Sequence, residues 1–223
     1  MTLPRRVRAV VFDMDGLLVD TEGLYSEALS TVALRDGVEI PPEVLLSTIG
    51  NAWAVSAELL RRHFAAGFNP DAFRLRVMER FHEMAQAKVA LKAGVLEILQ
   101  ALDDLGLPRA IATSSQREDV EHHIGGHALL ERFDAVLAHG DYARSKPAPD
   151  PYLAAAAALG AVPRDCLALE DSHNGVRAAH AAGMMTIMIP DLLDPTEEMR
   201  LLCVRVARDL HEVEALLRDA ALA

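Results

Sequence analysis

Short apolar runs alternate with longer helical patterns along most of the chain. Six runs read as strands: Val7–Phe12 (VRAVVF), Leu107–Ala112 (LPRAIA), Asp134–Ala138 (DAVLA), Cys166–Leu169 (CLAL), Met184–Ile189 (MMTIMI) and Leu202–Val206 (LCVRV). Strands buried on both faces read as continuous apolar runs, and helices between them imply a parallel sheet. The intervening segments carry helix punctuation. Asp150-Pro151 reads as an N-cap followed by proline at the first helical position, and Gly160 closes that helix after Leu159. Gly94–Leu105 is stopped by Gly106, and Asn174–Ala182 by Gly183, each glycine supplying a left-handed stop. The Ala154–Ala158 run reads as a closely packed helix face.

The stretch from Thr21 to Lys88 breaks this alternation. It predicts helices over Thr21–Arg35, Pro42–Ile49, Trp53–Ala66 and Asp71–Lys88, separated by turn signals at Gly37, Pro41-Pro42, Gly50-Asn51 and Gly67–Pro70. The pattern therefore predicts an α/β core with a parallel sheet, residues 1–18 and 89–223. A small all-helical domain, residues 19–88, is inserted after the first strand.

Composition narrows the classes. The 223 residues allow one large domain or two modest ones. With 51% apolar and 25% charged residues the profile is that of a soluble globular chain, and no apolar run approaches a membrane span. At the N-terminus, Asp13 and Asp15 come too early for a signal-peptide apolar region. The 22 Lys+Arg against 33 Asp+Glu give a formal net charge of −11, which disfavours nonspecific nucleic-acid binding. An anionic substrate would then need local positive charge. Cys166 and Cys203 provide neither a disulfide framework nor metal spacing, and a reduced, cytoplasmic compartment is expected. No interface stripe stands out, so a monomer is expected.

Ligands of parallel sheets bind beyond the carboxyl ends of the strands. Asp13 and Asp15 follow the first strand, Thr113 and Ser114 the second, and Glu170 and Asp171 the fourth, with Lys146 in a loop after the third. Carboxylates gathered so closely repel one another, and a hard divalent cation resolves the repulsion; an oxygen-only, partly open set suits Mg²⁺. Lys146 adds a second positive charge, and the hydroxyls with nearby backbone N–H groups can bind anionic oxygens. Such a site suits phosphoryl transfer. One carboxylate could attack phosphorus to form an aspartyl-phosphate, while a second, two residues on, protonates the leaving oxygen and then deprotonates water.

At these residues the sequence resembles the haloacid dehalogenase superfamily. The family's DxDGxxxDT motif stands as Asp13 to Thr21 (DMDGLLVDT), its Ser/Thr after a strand as Thr113, its Lys before Pro as Lys146 in SKPAPDP, and its acidic pair as Glu170-Asp171 in LEDSHNG. The resemblance implies a Rossmann-like core with a helical cap. It implies Asp13 as nucleophile and Asp15 as general acid/base, with Gly16, Thr113, Ser114 and Lys146 around the substrate phosphate. Mg²⁺ would be held by Asp13, the Asp15 carbonyl and Asp171, with Glu170 bound or nearby. The helical insert and the DGLLVDTE stretch are most similar to the β-phosphoglucomutase-like branch, which contains sugar-phosphate phosphatases as well as mutases.

The mutases of that branch carry a cap histidine where Tyr25 stands. They also carry a cap arginine just after a glycine, whereas Gly50 is followed by Asn51, Ala52 and Trp53, with no arginine before Arg61. A bisphosphate intermediate needs a cation for its second phosphate, so a phosphatase of a small phosphorylated metabolite, a sugar phosphate above all, is expected over a mutase. Arg61, Arg62 or Lys88 are the cations that could substitute. A non-catalytic binding module would have lost the nucleophile, the acid or the lysine, and none is lost. Among the other candidates, His122, His123 and His127 read as polar surface, and Met184, Met185 and Met188 as strand packing. Trp53 reads either as core of the helical domain, the favoured reading, or as a substrate-facing ring, Asp20 as a hinge residue, and His173 either as lining the site or as a plain loop residue.

Overall fold

The computed structural model describes residues 3–48, 53–64, 66–85 and 89–222. The chain folds as two compact units, Met1–Val19 with Ala90–Ala223, and Asp20–Val89. In the first, strands β1 (Ala9–Phe12), β2 (Arg109–Ala112), β3 (Ala135–Leu137), β4 (Cys166–Glu170), β5 (Met185–Met188) and β6 (Arg205–Val206) form one parallel sheet. Their order, β3-β2-β1-β4-β5-β6, is that of a doubly wound Rossmann sheet, with the direction of winding reversing between β1 and β4. Every residue of β1, β2, β4 and β5 is buried, which is why these strands read as unbroken apolar runs. Ala9, Val11, Ala110, Ala112 and Ala168 share one core with Tyr152, Ala155 and Ala156, so small residues let a helix lie close to the sheet.

All six expected strands are present, with shifted ends. Leu107 and Pro108 fall outside β2, because proline has no N–H for the ladder; its carbonyl accepts from Val10 N at 2.9 Å instead. β4 runs one residue further than expected, through Glu170. The expected strand Leu202–Val206 is a correction: Leu202 ends a helix over Glu197–Leu202, whose Thr196 cap accepts from Met199 N, and only Arg205–Val206 is strand. A second correction concerns the expected Asp150 cap. Asp150 is already the first helical residue of Asp150–Ala158, and Pro149 precedes it. The methionine reading holds: Met184, Met185 and Met188 are buried, Met188 against Val176 and Met199.

The second unit contains helices α1 (Thr21–Arg35), α2 (Pro42–Thr48), α3 (Trp53–Arg61) and α4 (Pro70–Ala85), with no strand among its described residues. α1 buries Ala28, Leu29, Val32 and Ala33, and packs on α4, which buries Phe73, Val77 and Phe81. α3 is shorter than the expected Trp53–Ala66: beyond Arg61 the backbone tightens to Arg62 N–Leu59 O and His63 N–Leu60 O contacts, and Phe64 stacks on Phe68 at 4.0 Å. Trp53 is not core. It is half-buried, donates to Asp71 at 3.0 Å and carries the Arg74 guanidinium 5.3 Å from its ring. The expected helix ends at Ile49 and Lys88, and Gly50, Asn51 and Ala52, lie outside the described residues.

Candidate active site

Sheet register brings the polar residues together. Phe12 pairs with both Leu169 and Ile111, so Asp13 is level with Glu170 and one step from Thr113 on the other side. All three stand at the carboxyl edge, where the winding reverses. Past Asp13 the chain folds back on itself. Met14 O accepts from Leu17, Leu18 and Val19, and Gly16 N donates to Val19 O at 2.9 Å. Gly16 has φ +76, and a Cβ there would lie 2.3 Å from Asp171 Oδ2. Only glycine fits both the left-handed backbone and the carboxylate beside it.

Glu170 is the buried hub. It is fully inaccessible, and its Oε1 accepts from Lys146 Nζ at 2.6 Å and Tyr152 OH at 2.7 Å. Its Oε2 accepts from Asp171 N and Ser172 N, both at 3.0 Å, and from Ser172 Oγ at 3.1 Å. Ser172 also caps the helix His173–Ala181, accepting from Gly175 N. Lys146 reaches from the loop between β3 and the helix Asp150–Ala158, and donates to Asp13 Oδ1 as well. Burial opposes charge on Glu170, yet Lys146 and the hydrogen bonds hold its carboxyl below the ordinary value. Burial also opposes charge on Lys146, but Asp13 and Glu170 keep it protonated, well above the ordinary lysine value. Asp13 goes the other way: burial, with Glu170 and Asp15 adding to it against Lys146, pushes its carboxyl up to about 7.

Asp15 is held by hydroxyls. Thr113 Oγ1 donates to its Oδ2 at 3.1 Å and Ser115 Oγ to the same oxygen at 2.6 Å, while Thr113 Oγ1 accepts from Ser115 N. Tyr142 OH donates to Thr113 O at 2.8 Å and so ties the Lys146 loop to β2.

Asp13, Glu170 and Asp171 each offer an oxygen within 4.8 Å of the others. With both Glu170 oxygens already committed, Asp13 and Asp171 are the side chains suited to hold a cation directly, and the oxygen-only set suits a hard divalent ion such as Mg²⁺. An orphaned buried oxygen close by, Asp191 Oδ2, fits an absent donor in the same place.

Of the residues expected from the sequence, Asp13, Asp15, Gly16, Thr113, Lys146, Glu170 and Asp171 lie together at this edge. Ser114 is exposed, and Ser115 makes the contact with Asp15. His173 is half-buried, with its ring on Asp194 O at 2.9 Å. Among the described residues, no histidine joins a group able to hold a metal. Tyr152, Ser115 and Asp191 escaped the sequence reading. The signals were a tyrosine on the inner face of the alanine helix, a third hydroxyl in the Thr-Ser-Ser turn, and an acid just past β5.

Comparison with known proteins extends over the same part of the chain. The family model described as "Haloacid dehalogenase-like hydrolase" matches residues 10–189. Hexitol phosphatase B of Escherichia coli (strain K12) is 34% identical over 192 residues, covering 85% of this chain and 86% of that protein. The crystal structure of CbbY from Rhodobacter sphaeroides in complex with phosphate is 30% identical, with TM-score 0.74, covering 93% of this chain and 96% of that one. A HAD family hydrolase from Deinococcus radiodurans with bound phosphate and sodium superposes with TM-score 0.82 at 28% identity, covering 97% of both chains. No helix among the described residues is long and apolar enough to cross a membrane.

Proposed function

The chain belongs to the haloacid dehalogenase-like hydrolase family and is a phosphatase-type enzyme, and we propose that it hydrolyses a small sugar phosphate through a phosphoryl intermediate on Asp13. The observation that carries this reading is the buried Asp13 carboxylate, oriented on one oxygen by Lys146 beyond the point where the sheet's winding reverses.

Lys146 occupies Asp13 Oδ1 and leaves Oδ2 for attack. A bond forms from this oxygen to phosphorus as the ester P–O bond breaks, and the leaving oxygen takes a proton from Asp15. Asp15, now ionised, takes a proton from water. That water attacks the phosphorus, and the bond to Asp13 breaks to release inorganic phosphate. Thr113 and Ser115 hold Asp15 for both transfers through its Oδ2. Lys146 and the N–H group at Ser114 are the donors assigned to the phosphoryl oxygens, while the Thr113 hydroxyl stays on Asp15 and the Gly16 N–H on Val19 O. Asp13, Asp171 and the Asp15 carbonyl are assigned to Mg²⁺, which when bound supplies positive charge to the phosphoryl oxygens. Glu170 stands behind them, fixing Lys146.

The name of the hexitol phosphatase supports a sugar or polyol phosphate as the substrate class. Hydrolysis is favoured over phosphomutase action by Tyr25. Its ring packs edge-on to Phe81 at 6.1 Å, and burial raises its phenol above the ordinary value, so it is no proton carrier at neutral pH. The test is phosphate release from hexose, pentose and polyol phosphates, glycerol phosphate, phosphoglycolate and nucleotides, with Mg²⁺ and with EDTA. Release concentrated on sugar or polyol phosphates and abolished by EDTA is expected. Metal-independent release, or isomerisation of hexose 1-phosphate without release, would overturn the proposal.

A further inference from the structure

Asp191 lies three residues beyond β5, and its side chain is 12% exposed. Its Oδ1 accepts from Lys92 Nζ at 2.5 Å, while its Oδ2 is buried without a hydrogen-bond partner. Lys92 is itself placed by backbone, its N donating to Leu18 O at 3.0 Å. A carboxylate oxygen buried unpaired is costly, and a position that keeps one is normally completed by water or an ion.

Oδ2 lies beside Asp171, one of the side chains suited to hold the cation. A Cβ on Gly16 would lie 2.3 Å from Asp171 Oδ2 and 3.3 Å from Asp191 Oδ2, so both oxygens flank the same bare Cα. Asp171 and Asp191 offer oxygens within 4.8 Å of each other. Two carboxylates so close repel unless positive charge or a hydrogen-bond donor stands between them. An ionised carboxylate only accepts, and a water on a cation presents its hydrogens outward, so the two are complementary. Mg²⁺ keeps several such waters. Asp191 is poorly suited to ligate the ion itself, since the Lys92 ammonium on its other oxygen would sit beside a second cation.

We propose that Asp191, tethered by Lys92, is a positioning residue for the divalent cation: its Oδ2 accepts from a water on the ion that Asp171 ligates. This rests on the Mg²⁺ assignment made above. In Asp191→Asn the amide oxygen turns to Lys92, and the amide nitrogen takes the place of Oδ2. A donor then faces the outward hydrogens of the water.

The test is calorimetric titration of Mg²⁺ into the metal-stripped full chain, without substrate. Wild type, Asp191→Asn, Lys92→Met and Asp171→Asn are compared, together with the rise in unfolding temperature that Mg²⁺ brings to each. Wild type is expected to bind and Asp171→Asn to lose binding. Asp191→Asn is expected to weaken binding by about 10–100-fold, as removal of outer-shell partners does. Lys92→Met should weaken it in the same direction, and in both variants the Mg²⁺-induced rise should shrink. A role confined to packing would lower the metal-free unfolding temperature and leave the Mg²⁺ dissociation constant unchanged. That result in Asp191→Asn overturns this proposal alone. Failure of wild type to bind Mg²⁺ overturns the metal assignment and this proposal together. If Asp191→Asn does not fold, an unchanged dissociation constant in Lys92→Met overturns the proposal.

Discussion

Gly175→Ala is the sharpest structural perturbation of the site. Gly175 is the third residue of the helix His173–Ala181, and a Cβ added there would sit 1.6 Å from Glu170 Oε1 and 1.9 Å from its Cδ. No rotamer adjustment absorbs that overlap, because both Glu170 oxygens are held: one by Lys146 and Tyr152, the other by two backbone N–H groups and Ser172. The methyl group must evict the carboxylate and leave Lys146 beside Asp13 without its second partner. Breaking a buried ion pair of this kind costs about 3–5 kcal/mol. For a chain of this size that lowers the unfolding temperature by roughly 6–20 °C, at about 2–4 °C per kcal/mol. A Lys146 ammonium misplaced by about 1 Å should lower kcat/KM by about a hundredfold or more. Gly126→Ala, which meets nothing within 4 Å, is the control and should stay within about 0.5 kcal/mol of wild type. Thermal and urea unfolding measure the stability and phosphate release the activity. In Glu170→Ala/Gly175→Ala the methyl group has room, so the double variant should be less destabilised than the two single effects added together. Wild-type stability and turnover in Gly175→Ala would refute the reasoning.

Three further outcomes are expected. Tyr152→Phe removes the 2.7 Å bond to Glu170 and should cost about 1.5–3 kcal/mol in urea unfolding, the range for hydrogen bonds to charged groups. Ser115→Ala should slow turnover more than Ser114→Ala, because Ser115 holds Asp15 while the Ser114 side chain is exposed; equal rates would remove Ser115 from the acid/base step. The raised Asp13 value sets a pH dependence. Between the ordinary 3.8 and about 7 the folded, metal-free protein binds the extra proton, so its stability falls as pH rises through that window. Mg²⁺ competes with that proton, so its affinity should rise towards neutral pH, and binding near pH 6 should release a proton. Titration in buffers of different ionisation enthalpy measures the release.

Asp13 and Glu170 were legible because one follows and the other ends a buried apolar strand, and the end of such a run marks the sheet edge. Lys146 was legible from SKPAPDP. What was missed depends on neighbours distant in sequence. Asp191 acquires meaning only beside Gly16, Asp171 and Lys92, which come from other segments of the chain. Tyr152 lies in the helix that carries the Ala154–Ala158 run; its hydroxyl matters because that helix lies close enough to β4 to reach Glu170. The choice of Ser115 over Ser114 is made by the turn beyond β2, where strand alternation no longer applies. The β6 error has a local cause: the apolar run LCVRV spans the end of a helix that Thr196 begins, and apolar content alone does not separate helix from strand.

The central claim is that Asp13 carries the phosphoryl group. The direct measurement is rapid acid quench during turnover of a sugar phosphate with Mg²⁺, followed by peptide mass mapping. Wild type should yield a phosphoryl adduct on the peptide containing Asp13. Asp15→Asn should alter its formation or breakdown, and Asp13→Asn should abolish both adduct and turnover. Sustained phosphate release by Asp13→Asn, or an adduct on another residue, would contradict the mechanism.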